Sequence, residues 1–247
     1  MKRFMSIKKR TAMLLAICLL LVAVVYVCAA YLLNFYKADV RAIEDFTPTV
    51  EIEEYELKRG VLAFEPENAG SALIFYPGGK VEYTAYVPLM RACAERGILC
   101  ILVKMPFNLA VFDINAADGL SENYPEIESW YIGGHSLGGA MASSYLDKNT
   151  EDFDGVVLLG SYSTADFSDE KIKALSVYGS LDGVMNREKY DENRANLPES
   201  FEEHVIDGGC HAYFGMYGEQ DGDGIPTISN EEQILQTAEI IHEFVVK

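Results

Sequence analysis

Cysteine is sparse in this chain: five among 247 residues, two of them, Cys18 and Cys28, inside a long apolar run. The remaining three, Cys93, Cys100 and Cys210, are too few for a disulfide framework and leave room for one bridge, between a pair the sequence does not specify. C-x-x-C pairs and His/Cys clusters are absent, which removes the ligand sets of a structural zinc site. No metal or organic cofactor is expected. Only four histidines occur, so a reaction that needs an imidazole base has few residues to draw on. Internal repeats and low-complexity segments are missing, which sets repeat architectures aside.

Basic residues are also in short supply, 20 against 38 acidic, and five of them, Lys2, Arg3, Lys8, Lys9 and Arg10, precede the apolar run. Everything after the run therefore carries 15 basic and 38 acidic residues, a formal charge of −23. Such a surface repels phosphates, so nucleic acid is not expected as a partner. The acidity reads instead as a well-solvated exterior.

From Thr11 to Leu33 there is no charged residue at all. Those 23 residues, as a helix, would span about 34 Å, enough for a bilayer core. The basic cluster before the run places the N-terminus in the cytoplasm and the rest of the chain outside, with Tyr31, Phe35 and Tyr36 at the outer interface. A cleaved signal peptide is the alternative. The run exceeds the usual h-region and no small-x-small site follows it, which favours an uncleaved single-pass anchor in the cell membrane. Cys28 does not mark a lipoprotein, because Tyr26 and Val27 are too large for the positions before a lipidated cysteine.

Beyond the anchor, 49% apolar residues over this length suit one packed domain. "VEIEEYELKRGVLAFEPENAG" reads as one or two strands, and then apolar strands alternate with helices. The strands are "SALIFYPGG", "ILCILVKMP", "WYIGG", "FDGVVLLGSYS", "KALSVYGSLDG" and "SFEEHVID". Helices are expected in "EYTAYVPLMRACAERG", near "LAVFDINAADGL", in "LGGAMASSYLDKN", in "NREKYDENRANL" and in "SNEEQILQTAEIIHEFVV", where Ser229 and Glu232 fit a capping box. Near-continuous apolar strands between helices imply an α/β fold with a mostly parallel sheet covered on both faces. The chain thus divides into a basic N-terminus (1–10), a transmembrane anchor (11–36), a stem and first-strand region (37–59) and an α/β domain (60–247).

In such a sheet ligands bind beyond the carboxyl ends of the strands. Gly134-His135-Ser136-Leu137-Gly138 is a G-x-S-x-G sequence between an expected strand and helix, the context of a nucleophile elbow. An acid and then a histidine should follow in chain order. Asp182 stands directly after one strand and His211 directly after the last, whereas His135, His204 and His242 fall inside the elbow, a strand and a helix. Asp166 and Asp169 are the fallback acids. An oxyanion would be held by the N–H of Leu137 and by one from the loop after "SALIFYPGG", with Gly79 ahead of Lys80 for the second donor. Phe107, Tyr162, Tyr213 and Phe214 follow strand ends and could line the site. About a dozen residues separate Ser161 from Lys173, too few for a helical cap, so the site should be open. "GEQDGDG" (218–224) resembles a calcium loop only superficially: with Glu219 as position 1, position 12 is Asn230 rather than glutamate.

Pro77-Gly78-Gly79, Gly134 to Gly139, Asp182 and His211 together resemble the α/β-hydrolase superfamily, especially its small dienelactone-hydrolase-like members, over roughly residues 60 to 247. Two positions depart from the pattern: Pro77 stands where many members have histidine, and Ser136 where dienelactone hydrolases have cysteine. The resemblance implies a serine hydrolase acting on a small carboxylic ester or lactone. Amide cleavage, acyl transfer and a non-catalytic binding module on the same scaffold remain alternatives.

Overall fold

The computed structural model describes residues 2–246. The chain divides after Phe35 into two units. The first is one helix, α1 (Lys2–Leu33), whose segment Thr11–Leu33 is long and apolar enough to cross a membrane. The second is built on one eight-stranded sheet: β1 (Ile52–Lys58), β2 (Val61–Pro66), β3 (Ser71–Tyr76), β4 (Ile98–Val103), β5 (Ser129–His135), β6 (Gly155–Leu159), β7 (Lys173–Gly179) and β8 (Glu202–Ile206). Its helices are α2 (Val40–Asp45), α3 (Val87–Ala94), α4 (Leu137–Leu146), α5 (Arg187–Asn193) and α6 (Asn230–Val245).

The strands lie in the order β1-β2-β4-β3-β5-β6-β7-β8. β1 and β2 form an antiparallel hairpin, β2 pairs antiparallel with β4, and all remaining neighbours are parallel. The period-2 pattern of β3 shows why the sheet needs two covering layers. Leu73 and Phe75 join the core under α3 and α6, while Ala72, Ile74 and Tyr76 join the one under α4. Each fully buried aliphatic or aromatic side chain contributes about 1.5–3 kcal/mol relative to exposure, so the five-residue run from Ala72 to Tyr76 is a major anchor of the fold. At the open edge, β1 carries Glu53, Glu54 and Glu56, and charges there discourage edge-to-edge pairing with other chains.

The segment read from the sequence as a stem is stitched to the domain. Asp39 N–H donates to Met216 O (2.8 Å), Arg91 donates to the Ile43 and Phe46 carbonyls at the end of α2, and Tyr36, the last residue of the range read as the anchor, makes a parallel bridge to Val81. A helix expected near "LAVFDINAADGL" does not form. Short 3-10 turns occupy Ala110–Phe112 and Ser121–Asn123, and the Tyr76 hydroxyl holds the loop between them, donating to Ile114 O and accepting from Ala117 N–H. Asp113, Asn115 and Gly119 supply the turn chemistry that overrides the apolar periodicity. By contrast, Ser229 does cap α6, accepting from Glu232 N–H at 3.1 Å. Cys93, Cys100 and Cys210 are all free and buried.

Candidate active site

Ser136 occupies the one-residue corner between β5 and α4 with φ 52° and ψ −121°, a conformation that costs a non-glycine residue about 1–3 kcal/mol. Its neighbours hold it there. Ser136 N–H donates to Leu159 O (2.9 Å), and Ser161 Oγ donates to Ser136 O (2.7 Å). A Cβ at Gly134 would fall 2.5 Å from Tyr76 O, and one at Gly138 only 2.2 Å from the same oxygen, so glycine is required on both sides of the corner. The G-x-S-x-G spacing is thus a steric consequence of bringing α4 close to β3.

At the carboxyl end of β7, Asp182 Oδ1 accepts from the N–H groups of Val184 (2.9 Å) and Met185 (2.8 Å). Its other oxygen meets His211 Nδ1 at 2.8 Å, and both side chains are essentially inaccessible to solvent. A carboxylate only accepts, so Nδ1 carries the proton, and in that tautomer the lone pair is at Nε2. Nε2 is buried and has no hydrogen-bond partner among the described residues. The fallback acids lie elsewhere: Asp166 is exposed and accepts from Ser168, and Asp169 is exposed. Gly160 has φ +50°, and a Cβ there would lie 2.9 Å from His211 Nδ1 and 3.2 Å from Asp182 Oδ2, so the pair rests against bare backbone.

Three consecutive N–H groups follow Pro77. That of Gly78 donates to Tyr86 Oη (3.0 Å) and that of Lys80 to Asn108 O (2.7 Å), which leaves Gly79 as the open donor of the three. A Cβ at Gly79 would touch Leu137 Cδ2 at 2.9 Å, so the residues of the two expected donors are in contact. Leu137 N–H opens α4, where no intrahelical acceptor exists and the helix dipole favours negative charge.

The expected lining residues separate. Phe107 is 61% exposed, with φ 54°, and its ring meets Phe112 edge-on. Tyr162 and Tyr213 are half-buried, Tyr162 against the Tyr178, Met185 and Tyr190 cluster. Phe214 is a correction: it is wholly buried and packs on the His135 ring, 5.4 Å between centroids, so it is a core residue beneath the site. Sequence order placed it after a strand end but carried no sign of which way the following 3-10 turn would point it.

Besides Gly160, two residues at the site are not signalled by the sequence. His135 is buried, and its ring lies 4.4 Å from that of His211. Burial, followed by the neighbouring His211, pushes its pKa well below the ordinary histidine value, so it is neutral. Asp223, in the acidic loop considered and set aside as a calcium site, accepts from Gly183 N–H (3.1 Å), His211 N–H (3.1 Å), Ala212 N–H (2.8 Å) and Gly224 N–H (2.8 Å). Burial alone would raise its pKa, but the backbone bonds outweigh it and hold the carboxyl below its usual range. The carboxylate ties the loop after Asp182 to the loop of His211. Among the described residues no group of three or more His, Cys, Asp or Glu side chains is placed to hold a metal ion.

Comparison with solved structures finds this architecture in a dienelactone hydrolase from Anabaena variabilis (TM-score 0.59, 15% identity, 80% of this chain and 98% of that one). Est1E from Butyrivibrio proteoclasticus with ferulic acid bound is similar (TM-score 0.59, 12% identity, 79% and 97%), as is TT1662 from Thermus thermophilus (TM-score 0.58, 14% identity, 80% and 100%). At such identities the likeness is one of fold. A search of curated proteins returns no match. Family membership comes from the sequence itself: residues 72–235, well over half of the chain, match the model of the alpha/beta hydrolase family, and this chain belongs to that family.

Proposed function

We propose that this hydrolase is a membrane-anchored serine esterase, with Ser136 as nucleophile, His211 as general base and acid, and Asp182 as the group that orients the imidazole. The observation that carries the reading is the buried His211 ring, tied to Asp182 through Nδ1 at 2.8 Å with Nε2 left unpaired, and lying 4.4 Å from the ring of His135, which directly precedes the strained elbow serine. Ser136 Oγ attacks the ester carbonyl while His211 Nε2 takes its proton. Negative charge develops on the carbonyl oxygen and is received by the N–H groups of Leu137 and Gly79. Collapse returns the proton from His211 to the departing alkoxide, and a water activated by the same ring cleaves the acyl-enzyme. Asp182 keeps the ring in the Nδ1–H tautomer and stabilises the imidazolium.

A small carboxylic ester or lactone is the substrate class, in keeping with the name of the Anabaena dienelactone hydrolase and with the ferulic acid bound to Est1E. The segment between β6 and β7 contains no helix, so nothing there encloses a long acyl chain, and short acyl groups are favoured. The Thr11–Leu33 helix serves as an uncleaved anchor, with the hydrolase unit outside the cytoplasm. A fluorophosphonate probe tests the chemistry: it should label the wild type and fail on Ser136→Ala, and a series of p-nitrophenyl esters should be cleaved faster as the acyl chain shortens. An unlabelled, folded wild type would turn the reading towards a non-catalytic module, and faster turnover of ten-carbon esters would reverse the claim about size.

A further inference from the structure

We propose that Tyr86 and His135 are positioning residues that set the oxyanion loop, and that the second residue of the G-x-S-x-G motif therefore has a role in the reaction. Three atoms carry the inference. Gly78 N–H donates to Tyr86 Oη at 3.0 Å, and the same oxygen lies 2.8 Å from His135 Nδ1. The two bonds orient each other. Tyr86 Oη accepts from Gly78 and keeps its own hydrogen, which His135 Nδ1 accepts in the Nε2–H tautomer of the neutral ring. Tyr86 and His135 are both buried, so water does not compete for these bonds.

The bridge spans the two halves of the site. Gly78 directly precedes Gly79, the proposed donor, and His135 directly precedes Ser136, the proposed nucleophile. The Gly79 N–H belongs to the next peptide plane, whose carbonyl, Gly78 O, accepts from Val81 N–H at 3.2 Å; with the Pro77–Gly78 plane tied to Tyr86, both planes that flank Gly78 are held. Gly78 admits no side chain at this place, since a Cβ would lie 2.6 Å from Tyr86 Oη and 2.7 Å from His135 Nδ1. The other face of the His135 side chain is covered by catalytic machinery and core: the His211 ring at 4.4 Å and the Phe214 ring at 5.4 Å. An apolar ring at position 135 would fill the same space, but it would supply no acceptor for the Tyr86 hydroxyl. Serine chemistry alone needs Gly79 to point at the oxyanion; the Tyr86–His135 pair holds the near end of the segment that presents it.

The inference rests on the proposed Ser136 mechanism, and the test separates the two. Tyr86→Phe removes one oxygen and leaves the packing in place. We expect its kcat on a short p-nitrophenyl ester to fall about 10–100-fold, below the about 10²–10³-fold loss of a whole oxyanion donor, with KM changed by less than about threefold. Affinity for a trifluoromethyl ketone, whose serine adduct places an oxyanion in the same hole, should fall by the factor seen in kcat/KM. Neither change follows from a packing role. His135→Gln, which retains an acceptor, should keep more activity than His135→Phe, and Tyr86→Phe combined with His135→Phe should be little worse than either alone. A Tyr86→Phe enzyme with wild-type kcat and wild-type ketone affinity would overturn the inference while leaving the Ser136 mechanism standing. Absence of fluorophosphonate labelling in the wild type would overturn both.

Discussion

Asp223→Ala removes one carboxylate and leaves four backbone N–H groups without their acceptor. The bond to Gly224 is to the adjacent residue and is local; those to Gly183, His211 and Ala212 cross between loops. Hydrogen bonds to a charged acceptor contribute about 1.5–3 kcal/mol each, but Asp223 is partly exposed and water can replace some of what is lost. Taking about 1 kcal/mol for each bond between loops puts the loss near 3 kcal/mol, or about 6–12 °C in Tm for a domain of this size. Activity should fall too, about tenfold or more, because the loops of Asp182 and His211 lose their shared tie and the reacting groups lose their alignment. The pH dependence has a definite sign. The folded-state pKa of Asp223 is depressed, so its contribution is complete above the unfolded carboxyl pKa of about 3.9 and disappears as pH falls through the lower folded value. Thermal melts of wild type and variant at neutral pH should therefore differ, and the gap should narrow below about pH 4. Asp223→Asn should fall between the two at neutral pH. Melting temperatures within 1 °C at neutral pH, on the scale of about 2–4 °C per kcal/mol, would refute the reasoning, and so would a gap that stays constant into acid.

Further outcomes follow from the same geometry. Gly160→Ala puts a methyl group 2.9 Å from His211 Nδ1 at a residue with φ +50°, so we expect loss of at least about a hundredfold in kcat with modest change in Tm, read by ester hydrolysis and melting together. Wild-type activity in that variant would mean that the His211–Asp182 pair tolerates displacement. If Thr11–Leu33 is an uncleaved anchor, the full chain should remain in the pellet after a carbonate wash, and an N-terminal tag should stay attached. Recovery of an untagged soluble protein would identify the segment as a cleaved signal instead.

The extent to which the sequence anticipates this molecule depends on how local each feature is. Strand identity was legible because β3, β4 and β6 are short, near-continuous apolar runs between turn residues, as strands buried on both faces are. The elbow was legible because its steric demands fall on adjacent positions: Gly134 and Gly138 must be bare to clear one oxygen, Tyr76 O, and the demand leaves a short pattern. The meeting of Asp182 with His211 followed from their common place after parallel strands, since topology carries every such loop to one edge. The helix expected near residue 110 failed because the Tyr76 hydroxyl, far away in the chain, organises that loop instead. Phe214 was misplaced because burial of a residue after a strand end depends on the turn that follows. Asp223, His135 and Gly160 belong to a third kind. Each acts through partners from 11 to 51 residues away, Asp223 on His211 and Ala212, His135 on Tyr86, and Gly160 against His211, and no pattern in the intervening chain announces the contact. The sequence by itself determined the strands, their order and the G-x-S-x-G corner, which are short-range properties of side chains and backbone. Only the tertiary structure decided which N–H groups of the loop after β3 are bonded and which residues hold them, because a hydrogen bond between loops exists only once the sheet has brought both loops to its edge.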